Sequence, residues 1–112
     1  MKRFEIWLAH LPRNETSSVQ QGTRPVIIIS NDIANQHSPV VTIVPLTSKP
    51  KKPLRTHVSL FNEGLTSVSL ALCGQITTLD KSRMVKRIGY VHNAFDQVAI
   101  CHAIRIQLGM VA

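Results

Sequence analysis

Hydrophobic and polar positions alternate from Arg3 to His10. Phe4, Ile6 and Leu8 fall on one side and Glu5, Trp7 and Ala9 on the other, which is the period of a strand with two different faces. Pro12 to Gly22 has no apolar periodicity and ends in Gly. It reads as a loop, and loops of this length in a compact domain are often functional. Arg24-Pro25 then opens the β-branched run Val26 to Ile29, a buried central strand with Pro25 tolerated at its start. Asn31-Asp32 end that strand, Ile33 to Ser38 form a turn or short helical excursion, and Val40 to Leu46 is a second β-branched strand.

The stretch Thr47 to Arg55 carries Lys49, Lys51, Lys52, Arg55 and two prolines. It cannot sit inside a sheet and reads as a basic surface loop. Thr56 to Phe61 and Val68 to Cys73 alternate again, separated by the turn-forming Asn62-Glu63-Gly64. Gln75 to Leu79 continues or closely follows the second of these. Asp80 caps a helical turn through Arg83, and Met84 to Val91 returns to strand. The last segment is the one long helix, capped by Asn93, with Asp96 near its positive end and Gly109 to stop it. Phe95, Val98, Ala99, Cys101, Ile104 and Leu108 supply its apolar face, and Gln97, Arg105 and Gln107 its polar side. His102 sits near that face as a core or interface histidine. Six or so short strands and a C-terminal helix predict a mainly β fold, a small, strongly curved barrel with the helix packed on it.

Composition narrows the partners. With 112 residues the chain is one domain, 1–112, and 44% hydrophobic with 17% charged residues fits a globular protein. Thirteen Lys plus Arg against six Asp plus Glu leave a net charge of +7, which favours nucleic acid, an acidic protein or an anionic membrane surface. No stretch approaches the ~18 apolar residues of a membrane span. The start lacks a signal-peptide pattern, so a cytoplasmic protein without membrane attachment is expected. Cys73 and Cys101 form neither a CxxC pair nor a zinc knuckle and read as buried free thiols. The five histidines show no metal-ligand spacing, so neither a metal nor another cofactor is expected.

Arg24 stands between a Gly-containing loop and a buried strand, a place that holds its backbone rigid while the guanidinium emerges at the strand end. A fixed planar cation suits bidentate phosphate recognition. Thr47 and Ser48 end the neighbouring strand. If the two strands run antiparallel, Arg24 and Thr47 reach one rim beside the Lys-rich loop, and two hydroxyls with an arginine make a phosphate-sized site. Taken singly, a strand-end arginine and a Thr-Ser turn are also ordinary features.

The segments Gln21-Gly22-Thr23-Arg24-Pro25 through Ser30-Asn31-Asp32, Val44-Pro45-Leu46-Thr47-Ser48, Thr56-His57-Val58 and Cys73-Gly74-Gln75 through Asp80-Lys81-Ser82-Arg83 resemble, in order, the MazF/PemK toxins of bacterial toxin-antitoxin modules. The Gly-x-Arg-Pro, strand and Asn-Asp pattern is the most specific part. The resemblance implies an SH3-like or CcdB-like barrel assembled as a homodimer, with a cognate antitoxin as protein partner and single-stranded RNA as substrate. It implies that Arg24 and Thr47 are catalytic and that Gly22 and Gln75 hold or read the RNA, with Ser48 beside them. It also implies cleavage without a metal, by attack of a ribose 2′-OH on the adjacent phosphate, leaving a 2′,3′-cyclic phosphate and a 5′-OH.

Many members of that family have Glu and a second Gly where this chain has Val19 and Gln21, and Arg or Lys where it has Thr77. The first difference alters the loop over the site, and the second removes a cation. Lys49, Lys51 and Lys52, with the cluster Lys81, Arg83, Lys86 and Arg87, are expected to steer RNA through its backbone. His57 is a candidate general base by residue type alone. Two other readings stay open: a CcdB-type toxin that poisons gyrase by protein contact, and a relative that binds RNA or an antitoxin without turnover.

Overall fold

A computed structural model describes residues 1–13, 16–49, 51–61 and 64–111; Asn62 and Glu63 of the expected turn and Pro50 of the basic loop lie outside them. Among the described residues seven strands form: β1 (Glu5–Leu11), β2 (Gly22–Ile28), β3 (Val40–Thr47), β4 (His57–Leu60), β5 (Ser69–Leu72), β6 (Thr77–Asp80) and β7 (Met84–Tyr90). Helix α1 (Asp32–His37) follows β2, and α2 (Ala94–Gln107) closes the chain. Single 3-10 turns at Cys73–Gln75 and Lys81–Arg83 flank β6, the second capped by Asp80, whose carboxylate accepts the Ser82 N–H.

All pairings are antiparallel, in the order β4-β5-β3-β2-β1-β7, with β6 also on β3. Strand β3 forks. Its first half pairs with β6 (Val41 opposite Leu79) and its end with β5 (Leu46 opposite Ala71). The period of two sorts the β-branched runs onto two cores. Ile27, Val44 and Leu46 join Ile6, Leu60 and Ile100 on the α2 side, while Val26, Ile28, Val41 and Ile43 pack with Leu11 and Leu79 on the other.

The expected barrel is not closed by strand pairing: β4 and β7 are edges of the sheet. Closure comes from Gly64 on the β4–β5 connection, whose φ is +91° and where a Cβ would lie 1.7 Å from the Ile88 carbonyl oxygen of β7. Two register shifts interrupt the β1–β7 pairing, an irregularity of the kind that bends and twists a strand.

The helix begins as expected, with the Asn93 side chain accepting the Phe95 and Asp96 N–H groups, and stops at Gly109 with φ +70°. Its buried stripe is narrower than the expected face. Ile100 and Ala103 are buried and Cys101 and Ile104 half-buried, whereas Phe95, Val98 and Leu108 are exposed. The apolar positions span more than one side of a 3.6-residue helix; the helix packs on β4 and the Cys73–Gln75 turn, and its buried residues there are Ile100 and Ala103, with Cys101 and Ile104 beside them. His102 is exposed, not a core residue, and Cys101 is half-buried where a buried thiol is expected.

Candidate active site

The β2–β3 ladder runs from Ile28 opposite Ile43 to Val26 opposite Pro45 and stops there. Beyond that point β3 pairs with β5 at Leu46 and Thr47, so Arg24 and Thr47, each two residues past the last pair, flank an opening between their strands. A cavity of about 300 Å³ occupies it. Leu8, Pro25, Leu46, Leu65 and Ile88 give it apolar walls, and Arg24, Thr47, Ser48, Thr66, Ser67 and Ser69 give it one guanidinium and five hydroxyls. None of the described lining residues is acidic.

The two central side chains are oriented by backbone. Arg24 Nε donates to the Gln21 carbonyl oxygen at 3.1 Å. Neither terminal guanidinium nitrogen has a hydrogen-bond partner among the described residues. Thr47 is 3% exposed, and its Oγ1 accepts the Lys49 N–H at 3.2 Å. With that lone pair engaged, the Thr47 hydroxyl proton is available to a ligand oxygen.

Antiparallel pairing thus brings Arg24, Thr47 and Ser48 to one cavity, as the sequence argument expects. The other candidates fall elsewhere. Gly22 lines a separate concavity with Arg13, Gln21, Thr23 and Arg24. Gln75 lines a third, of about 420 Å³, with Gln20, Val19 and Thr77, and its Oε1 accepts the Gln20 N–H at 2.8 Å. Lys49, Lys51 and Lys52 are exposed and line none of these three cavities. In the second basic cluster, Lys81 Nζ donates to the Asn35 carbonyl, Arg83 Nη1 to the His10 carbonyl, and Arg87 pairs with Glu5 at 3.4 Å. Three of its four cations therefore have structural partners.

His57 is on β4 opposite Leu72, outside the Arg24 cavity, with a buried Nδ1 that has no hydrogen-bond partner among the described residues. Its residue type, the one argument for it as a base, therefore gains no support from its position. Thr66, Ser67 and Ser69 are the lining residues that sequence reasoning passes over; the only signal for them is a run of hydroxyls directly after the Gly64 turn. Among the described residues, no group of three or more His, Cys, Asp or Glu is placed to hold a metal ion. No helix among them is long and apolar enough to cross a membrane.

Residues 2–108 match the family of PemK-like, MazF-like toxins of type II toxin-antitoxin systems. An Endoribonuclease MazF of Staphylococcus saprophyticus is 35% identical, with 94% of this chain and 96% of the relative covered. Among solved structures, the Mycobacterium tuberculosis toxin MazF-mt6 superposes with a TM-score of 0.79 at 25% identity, over 94% of this chain and 96% of that one. An endoribonuclease in complex with its cognate antitoxin from a mycobacterial species superposes at 0.82 and 23% identity, over 100% and 98%, a likeness of fold. With the family pattern spanning nearly the whole chain and Arg24 and Thr47 meeting in one cavity, this chain belongs to the PemK-like, MazF-like toxins of type II toxin-antitoxin systems.

Proposed function

We propose that this chain is an endoribonuclease toxin that cuts single-stranded RNA in the cavity between Arg24 and Thr47. The observation that carries the reading is the splayed end of the β2–β3 ladder, where an oriented guanidinium and a hydroxyl with a free proton face a phosphate-sized space. In the proposed reaction the ribose 2′-oxygen attacks the adjacent phosphorus, its proton leaves, and the bond to the 5′-oxygen breaks as that oxygen takes up a proton. The products are a 2′,3′-cyclic phosphate and a 5′-OH. Charge develops on the non-bridging oxygens, and donors fixed beforehand stabilise it without reorganisation.

Arg24 supplies two terminal NH2 groups, four N–H donors in all, and a positive charge for that task, and Thr47 one O–H. A guanidinium is a poor base, so Arg24 acts mainly on the developing charge. The net charge of +7 draws the polyanion in. An antitoxin, the partner implied by the family, neutralises the toxin by laying acidic chain over the same surface. The homodimer implied by the resemblance belongs to the same proposal, and exposed Phe95 and Val98 on α2 are apolar surface for a second copy to cover.

Incubating the purified chain with long single-stranded RNA in EDTA tests the reaction. Discrete fragments with 5′-OH ends are expected. Arg24→Ala and Thr47→Val should each slow cleavage about 10²- to 10³-fold with the fold retained. Undiminished cutting by Arg24→Ala would sink the assignment, retention of intact RNA would leave a binder, and neither would point to the gyrase type. A single 12.5 kDa species in sedimentation would overturn the dimer.

A further inference from the structure

A second concavity shares Arg24 with the first. It holds about 330 Å³ and is lined, among the described residues, by Arg13, Gln21, Gly22, Thr23 and Arg24, two guanidiniums with no carboxylate among them. His10 stands opposite Thr23 in the β1–β2 pair, and its Nδ1 lies 2.7 Å from Thr23 Oγ1. That contact fixes a hydroxyl that would otherwise rotate. Arg83 Nη1 donates to the His10 carbonyl oxygen at 3.2 Å, which brings a third guanidinium beside the pair. Gly22 has φ +79°, and among the described residues beyond its chain neighbours nothing lies within 4 Å of the place a Cβ would take, which leaves the main chain there open to a ligand.

Cations and a hydroxyl around an uncovered backbone match a phosphodiester, whose non-bridging oxygens accept hydrogen bonds and carry the charge. Arg24 borders both cavities, so a single strand with regularly spaced phosphates can occupy the two together. We infer that the cup formed by Arg13, Gly22, Thr23 and Arg24 is a phosphate subsite, which takes the RNA backbone phosphate adjacent to the one held between Arg24 and Thr47. This inference rests on the RNA-cleaving reading above and adds to it a contact that positions the strand and leaves the reacting atoms untouched.

The test separates binding from cleavage. Binding is measured with the full chain and a short random-sequence 2′-O-methyl oligonucleotide, whose capped 2′-oxygen cannot attack; cleavage is measured on long single-stranded RNA. Arg13 and Thr23 are exposed, so Arg13→Ala and Thr23→Val keep the fold, as thermal melting will verify. Each should weaken oligonucleotide binding, Arg13→Ala about tenfold, and Arg13→Ala should also flatten the slope of log K against log salt by about 0.7, one single-strand phosphate contact. Wild-type affinity and slope in both variants, with the wild-type protein cutting RNA, overturn the subsite and leave the reaction standing. Wild-type protein that neither binds nor cuts RNA overturns both. A loss confined to inorganic phosphate or to polyglutamate, with oligonucleotide affinity unchanged, gives the cup to a free anion or an acidic protein and overturns the inference as well.

Discussion

Gln75 holds the β1–β2 loop from across the sheet, its Oε1 accepting the backbone N–H of Gln20 at 2.8 Å. Both residues line the cavity that also contains Val19 and Thr77, so the same side chain that the family resemblance gives to RNA is already engaged within the protein. A neutral hydrogen bond of this kind contributes about 1 kcal/mol, roughly fivefold in a local opening equilibrium. Gln75→Ala should therefore speed hydrogen exchange of the Gln20 amide about fivefold without RNA and leave the amides of β3 unchanged. Unchanged exchange at Gln20 would mean that the loop is held by something else.

Much of this architecture is legible in the sequence because the signals are local. The β-branched runs of β2 and β3, the Asn93 and Asp80 caps and the Gly109 stop depend on neighbours in the chain, and each appears where its pattern puts it. Antiparallel pairing extends that reach far enough to join Arg24 to Thr47. What escapes is set by distant partners. The hydroxyls Thr66, Ser67 and Ser69 line the cavity just after Gly64, whose backbone approaches Ile88 of β7 from far along the chain. Whether Phe95 or Ile100 is buried depends on how little of α2 the sheet covers. The basic cluster at Lys81, Arg83 and Arg87 looks like a free cationic face until its partners Asn35, His10 and Glu5 are seen across the fold.

Glu5 illustrates such a partner set. It is 7% exposed on β1, where its Oε1 accepts the Lys2 N–H at 3.0 Å and the Trp7 indole N–H at 2.9 Å, and its Oε2 faces Arg87 at 3.4 Å. Burial pushes this carboxyl up, but the Trp7 and Lys2 hydrogen bonds and the charges of Arg87 and the amino terminus outweigh it and hold the group below its ordinary value. A carboxyl lowered on folding stabilises above its unfolded pKa of about 4.3, and that stabilisation is lost as pH falls through the folded value. Glu5→Gln should cost about 1 to 2 kcal/mol at neutral pH. The gap in melting temperature between the two proteins should shrink as the medium becomes more acid than about pH 4. A gap that stays constant into strong acid would show that the charge contributes nothing.

The two thiols should behave differently. Cys73 is fully buried, and burial first, with Cys101 nearby second, pushes its pKa up to about 12. Cys101 is half-buried and its Sγ lies 3.3 Å from Arg3 Nη2. Since the thiolate is the nucleophile, an alkylating reagent at mildly alkaline pH should add once to the native protein, at Cys101, and a second time only after denaturation. Peptide mapping locates the adduct; equal native labelling of both cysteines would contradict the burial of Cys73.

Gly64 and Gly22 both have positive φ, yet alanine should act differently at each. At either position the left-handed backbone costs an L-residue about 1 to 2 kcal/mol. At Gly22 no described residue beyond its chain neighbours lies within 4 Å of the added methyl, so the cost ends there. At Gly64 the methyl would sit 1.7 Å from the Ile88 carbonyl oxygen, and relieving that overlap requires the β4–β5 connection to leave β7, bringing the loss above about 3 kcal/mol. Gly64, Leu65 and Ile88 all line the Arg24 cavity, so the same displacement dismantles its wall. Gly64→Ala should melt many degrees lower and lose RNA cleavage at temperatures where it is still folded, while Gly22→Ala loses only a few degrees. Similar melting temperatures for the two variants would show that the Gly64–Ile88 contact does not close the sheet.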